Sequence, residues 1–96
     1  YFLTRYGKKT PREFDFSHKD KNIYLVFGRE STGIPKDILK SNLSNCVRLP
    51  INDHIRSLNL ANTVAIMIYE VLGQQNYNDL YKMEPETLKG PDWLEK

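Results

Sequence analysis

Ile23-Tyr24-Leu25-Val26-Phe27-Gly28-Arg29-Glu30-Ser31-Thr32-Gly33-Ile34-Pro35 is the stretch on which the fold turns. Its first five residues are apolar without interruption, the pattern of a strand buried on both faces. Gly28 follows at once, where a missing side chain lets a ligand come close to the backbone, and Gly33 permits a sharp turn. Pro35 to Lys40 then reads as a short helix with proline in its first turn. Strand, glycine-bearing loop and helix in that order are a unit of a parallel α/β sheet, which places its ligands at the C-terminal ends of its strands. An ordinary strand-to-helix turn would use the same residues, and by composition alone it is the stronger reading. The loop is neither a Walker loop nor a dinucleotide Gly-x-Gly-x-x-Gly fingerprint.

Two more strands flank this unit. Tyr1-Phe2-Leu3-Thr4 begins as a strand at the first residue, and Cys46-Val47-Arg48-Leu49 is stopped by Pro50. The strongest helix runs from Leu58 to about Gln75. Leu60, Val64, Met67, Ile68, Val71 and Leu72 repeat along one face. Ala61, Ala65, Ile66 and Tyr69 cover much of the rest, so the helix is packed on more than one side, in a central position or at a subunit interface. Ser57 is placed to cap it. From Asn76 the chain carries Tyr77, Tyr81, Pro85, Gly90, Pro91 and Trp93 and reads as a loosely attached extension. Three strands with so few helices make a thin parallel sheet, because such a sheet needs cover on both faces.

With 96 residues the chain holds one domain at most, and 40% hydrophobic with 27% charged residues is a globular composition. The run Thr63 to Leu72, broken by Glu70, is too short to span a bilayer, and no secretory signal pattern is present. A single cysteine, Cys46, excludes an intrachain disulfide framework and a cysteine-based zinc site, and reads as a buried core thiol in an intracellular, cytoplasmic chain. His18 and His54 have no ligand at metal spacing and read as surface residues, so no metal is expected. The net charge of +2 hides an asymmetry: residues 1–56 carry 11 Lys/Arg against 6 Asp/Glu, and residues 57–96 carry 3 against 6. Arg5, Lys8, Lys9 and Arg12 precede the first acid, with Tyr6 among them. This is either a phosphate-binding loop or a solvated one.

A second loop, Leu49 to Asn62, leads from a strand end into the N-terminus of the long helix, where free N–H groups favour negative charge. Asn59 and Asn62 are poor helix formers in an apolar helix. Their side chains either bridge loops or a ligand, or simply cap the helix and pin the loop.

These two loops carry a resemblance. Phe27-Gly28-Arg29-Glu30-Ser31-Thr32-Gly33-Ile34-Pro35 resembles the second signature motif of the SPOUT (SpoU–TrmD) RNA methyltransferases. Arg48-Leu49-Pro50-Ile51 with Arg56-Ser57-Leu58-Asn59-Leu60-Ala61-Asn62-Thr63-Val64-Ala65 resembles the third. Their order and spacing together are highly specific. The chain is most similar to the small TrmL-type tRNA (cytidine/uridine-2′-O)-methyltransferases, from its first residue to about Gln75. Tyr1 to Thr4 with Gly7 looks like the strand before the second motif.

The resemblance implies an α/β fold with a parallel sheet and a C-terminal trefoil knot, residues 1–77 forming the knotted part and 78–96 an extension. It implies methyl transfer from S-adenosylmethionine, leaving S-adenosylhomocysteine, to the ribose 2′-hydroxyl of a tRNA wobble nucleotide. Cofactor contacts would fall on Leu3, Gly28, Leu49, Ser57 and Leu58, and polar residues near the ribose on Glu30, Ser57 and Asn59. Arg5, Lys8, Lys9, Arg12, Arg56 and Tyr69 would face tRNA, Arg56 and Tyr69 alternatively the seam of a homodimer. The family's first motif, Asn-x-Gly-Asn-x-x-Arg, with its arginine and early strands and helix, is missing from these residues, so the chain reads as the C-terminal part of such an enzyme. Methylation of ribosomal RNA or of another tRNA position, a non-catalytic RNA- or nucleotide-binding module, and a purely dimerising and knot-forming fragment are the competing readings.

Overall fold

The computed structural model describes residues 1–52, 54 and 58–96. Arg56 and Ser57, with the cofactor, ribose and tRNA roles expected of them, lie outside the described residues, while the capping expected of Ser57 falls to Asn59 instead. Strand β1 (Phe2–Leu3) and strand β2 (Cys46–Val47) pair in parallel, Phe2 opposite Cys46 and Leu3 opposite Val47. Alternate peptide groups of a strand point to opposite sides, which fixes what lies beyond each edge. Thr4 N–H donates to Val47 O at 3.0 Å, while Leu3 N–H donates to Val26 O at 2.9 Å on the other side. Val26 is therefore the outer neighbour of β1. Val47 bridges Lys9 as well as Leu3, and Arg48 N–H donates to Lys9 O at 2.9 Å. The order across the sheet is Val26, β1, β2, Lys9, with residues 4–9 arching from one side of β2 to the other.

The parallel sheet is as expected, but its third strand is not. The run 23–27 contributes one bridge at Val26 and is not buried on both faces. Ile23, Leu25 and Phe27 pack on the core, whereas Tyr24 and Val26 are exposed. A continuous apolar run states that either face can be covered, not that a covering layer exists.

Helix α1 (Lys36–Lys40) has Pro35 as its N-cap and drives Leu39 into a small cluster with Ile34 and Cys46. Cys46 is buried there, as its sequence context indicated. Helix α2 (Leu60–Gln74) starts two residues later than its apolar pattern suggested, because Asn59 is the cap: its side chain accepts from Ala61 N–H at 2.8 Å. Met67 is its fully buried residue, and it meets Leu3, Phe16 and Val47 in the main core. Ile68, expected on the core face, is 44% exposed instead. Gln74 and Gln75 close the helix onto the front of the chain. Gln74 Oε1 accepts from Phe16 N–H at 2.8 Å, and Gln75 Nε2 donates to Phe16 O at 3.0 Å. Past α2, Asn76 and Tyr77 adopt positive φ and turn the chain away. No described helix is long and apolar enough to cross a membrane.

Candidate functional site

The C-terminal ends of β1 and β2 and the loop after Val26 open into one cleft of about 430 Å³. That lies within the roughly 300–1,000 Å³ of small-molecule sites. Leu3 and Thr4 reach it from β1, Phe27 to Ile34 from the glycine loop, Val47 to Leu49 from β2, and Leu58 to Leu60 with Thr63 from the start of α2. The sheet accounts for this convergence: parallel strands end on the same side, so their following loops gather there.

The glycine loop is shaped by its own backbone. Arg29 and Gly33 form an antiparallel bridge, and Gly33 N–H donates to Arg29 O at 2.8 Å. Gly33 has φ +70°, the left-handed conformation its turn requires. At Gly28 the close approach comes from within the loop. A Cβ there would fall 2.3 Å from Gly33 C and 2.4 Å from Ile34 N. Gly28 is thus needed for the loop to close, in addition to any contact it makes with a ligand. Ile34 is the buried anchor of the loop, and Arg29 to Gly33 stay exposed.

Of the residues singled out from the sequence, the cleft brings together Leu3, Gly28, Leu49 and Leu58 with Glu30, Asn59 and Arg5. Half-buried Leu49 and Leu58 and buried Leu3 give it an apolar wall, while Glu30 and Asn59 are exposed polar residues of its lining. Asn59 performs the capping role that was one of its two readings, which commits its Oδ1 to Ala61 N–H. The amide nitrogen of the same side chain is the group that could donate to a ligand.

The basic stretch is divided. Arg5 lines the cleft. Lys9 is occupied at the edge of β2 with its ammonium over the Phe14 ring, 5.6 Å from the centroid. Lys8 is exposed and lines neither hollow described here. Arg12 pairs with Glu70 at 3.3 Å and, with Tyr69, lines a second groove of about 400 Å³. Leu49 lines both hollows, so the two lie back to back across the residue that leaves β2.

Arg48, part of the second loop's motif, has a structural role that the motif alone does not indicate. Its Nη1 donates to Arg5 O at 2.6 Å, tying the turn after β1 to the exit of β2. The signal was available: Val47 and Leu49 point inward along a strand, so Arg48 between them must point out. Among the described residues no group of three or more His, Cys, Asp or Glu is placed to hold a metal ion. His18 and His54 are exposed.

The chain is similar to a known family, to curated relatives and to a solved structure. Residues 1–69 match the SpoU rRNA methylase family. A Bacillus subtilis protein bearing the name of a tRNA (cytidine(34)-2′-O)-methyltransferase is 49% identical over 83% of this chain and 50% of its own length. A Listeria innocua protein of the same name is 46% identical over 83% of this chain and 47% of its own. A solved crystal structure of a Bacillus anthracis protein, described as an RNA methyltransferase, superposes with a TM-score of 0.82 at 47% identity, covering 88% of this chain and 53% of that one. The chain spans about half the length of the curated relatives it matches. The family match spans most of the chain, including both loops that line the cleft, and the chain belongs to the SpoU rRNA methylase family.

Proposed function

We propose that the protein transfers a methyl group from S-adenosylmethionine to the 2′-hydroxyl of a tRNA wobble nucleotide, as the names of its relatives describe for them. The observation that carries this reading is the cleft itself. Residues of two motifs separated in sequence by α1 and β2 line one hollow, with leucines on its wall and Glu30 and Asn59 beside them. Its volume and mixed lining fit a nucleoside-sized cofactor. Leu3, Gly28, Leu49 and Leu58 would hold S-adenosylmethionine, with Ser57 from the same motif. When bound, it supplies a methyl group already activated by a sulfonium charge.

The residues of this chain then have two tasks. One is to hold the ribose hydroxyl in line with the methyl carbon, a positioning effect that can contribute several kcal/mol, up to about 7–11, toward lowering the barrier. Glu30 suits this task because it stands on the closed glycine loop and can accept a hydrogen bond from a ribose. Asn59, at the N-terminus of α2, can donate one from its amide. The other task is to hold the RNA. Arg5 would supply charge from the cleft itself, with exposed Lys8, Lys9 and Arg12 around it and Arg56 expected from the motif, and phosphate contacts make such binding steeply dependent on salt. Residues 1–77 form the knotted part, supported by the arch of residues 4–9 around β2. A homodimer is supported by the exposed Ile66, Ile68 and Tyr69 of α2.

The test is methylation of an anticodon stem-loop RNA, read by mass spectrometry of its nucleosides. The full protein should form a 2′-O-methylated pyrimidine at the wobble nucleotide, and no product at any RNA concentration would sink the proposal. Glu30→Ala should lower methyl transfer about 100-fold or more, in the range of lost transition-state contacts, and leave the affinity for S-adenosylhomocysteine nearly unchanged. Equal rates for variant and parent would remove Glu30 from the mechanism.

A further inference from the structure

Resting on the proposed activity, the geometry points to Tyr6 as the stacking platform for the base of the nucleotide whose ribose enters the cleft. Tyr6 lines the same hollow as Glu30 and is 75% exposed, an aromatic ring left in water at the mouth of a site. The turn beneath it is fixed at several points. Gly7 N–H donates to Thr4 O at 3.2 Å, and Tyr6 N–H donates to Thr4 Oγ1 at 3.2 Å. Arg48 holds Arg5 O, and a Cβ on Gly7 would fall 2.8 Å from Val47 C, so the turn lies directly on the backbone of β2. Arg5 covers the ring, its guanidinium carbon 5.7 Å from the centroid. One ring face is thereby backed by a cation and the ring is held by a rigid turn.

An exposed ring on a fixed turn, with Arg5, Arg29 and Arg48 lining the same cleft, is the arrangement that recognises an unstacked base next to its own phosphates. The cations hold the backbone, and the ring offers a π-face that accepts the base without reading its edge. The adenine of the cofactor is the other flat ring at this site. It would lie among the leucines of the inner wall, whereas Tyr6 stands at the exposed lip.

The experiment uses the full protein with an anticodon stem-loop RNA carrying fluorescent pyrrolocytidine at the wobble nucleotide. The parent and Tyr6→Phe should quench the fluorophore on binding. Tyr6→Leu should lose the quench and raise the KM for RNA roughly 5- to 150-fold, the span of base–aromatic stacking. Affinity for S-adenosylhomocysteine should stay unchanged in both variants. A Tyr6→Leu variant that quenches and turns over like the parent overturns the inference alone. Loss of S-adenosylhomocysteine binding, or a changed oligomeric state in Tyr6→Leu, also overturns it by assigning the ring to the cofactor or to a subunit contact. A parent that neither binds nor methylates the RNA overturns the proposed activity and this inference together.

Discussion

Phe14 and Phe16 near the front of the chain, and Leu80, Tyr81, Met83, Leu88, Trp93 and Leu94 in its tail, are all large apolar side chains. Phe16 is fully buried and Phe14 half-buried, while those of the tail are between 45% and 87% exposed. Hydrophobicity does not separate the two regions; remote backbone partners do. The peptide groups of Phe16 are taken by Gln74 and Gln75 from the far end of α2, and its ring packs edge-on against Tyr1 at 4.8 Å. In the tail the described backbone bonds are local, such as Leu88 N–H and Gly90 N–H to Pro85 O. An apolar residue is buried where the chain can also satisfy the polar groups it drags inside.

Three measurements would break or sharpen that contrast. The largest effect is expected at Phe16: Phe16→Ala should destabilise the fold by about 3–5 kcal/mol, whereas Leu94→Ala should stay within about 0.5 kcal/mol. Paired denaturant titrations decide this, and similar losses at both positions would abolish the distinction. An intermediate effect belongs to Gln74→Ala, which leaves Phe16 N–H without its acceptor in a partly buried site and should cost about 1–3 kcal/mol. If that variant unfolds with the parent, the glutamine grip is not what anchors Phe16. The smallest concerns Asp15, beside Phe16. The Ser17 hydroxyl and then the Ser17 N–H, with His18 adding a little, hold its carboxyl below its usual range. A lowered folded value means that the contribution is present above the unfolded pKa and is lost as pH falls through the folded one. Asp15→Asn should remove this part of the acid sensitivity, seen as a shallower fall of stability on acidification, and an unchanged acid profile would count against it.

The same contrast explains what the sequence made legible. The centres of both strands and the body of the long helix are where their patterns put them, since Val47 and Met67 have partners that any packing of those elements would supply. The cleft was legible because its residues follow strands that run parallel. The third strand was misread because Tyr24 and Val26 are apolar yet lack a layer over them. The helix start was misread for a related reason: Leu58 continues the apolar pattern while Asn59 takes the cap, and periodicity counts side chains rather than free N–H groups. The roles of Arg48 and Gln74 depend on contacts 43 and 58 positions away, to Arg5 and to Phe16, which no local window contains.

Residues 4–9 pass from one edge of β2 to the other, and the bond from Gln74 to Phe16 spans 58 positions. The ties that pair β1 with β2 and close α2 onto Phe16 therefore each join an early residue to a later one. Long-range closure of this kind makes folding slow, because loop entropy is lost before any contact offsets it. On a ribosome, β1 emerges well ahead of its partner, with one strand edge waiting for Cys46 and Val47. Until Gln74 and Gln75 are made, the peptide groups of Phe16 lack the partners they hold in the fold, so its burial waits on the residues that close α2.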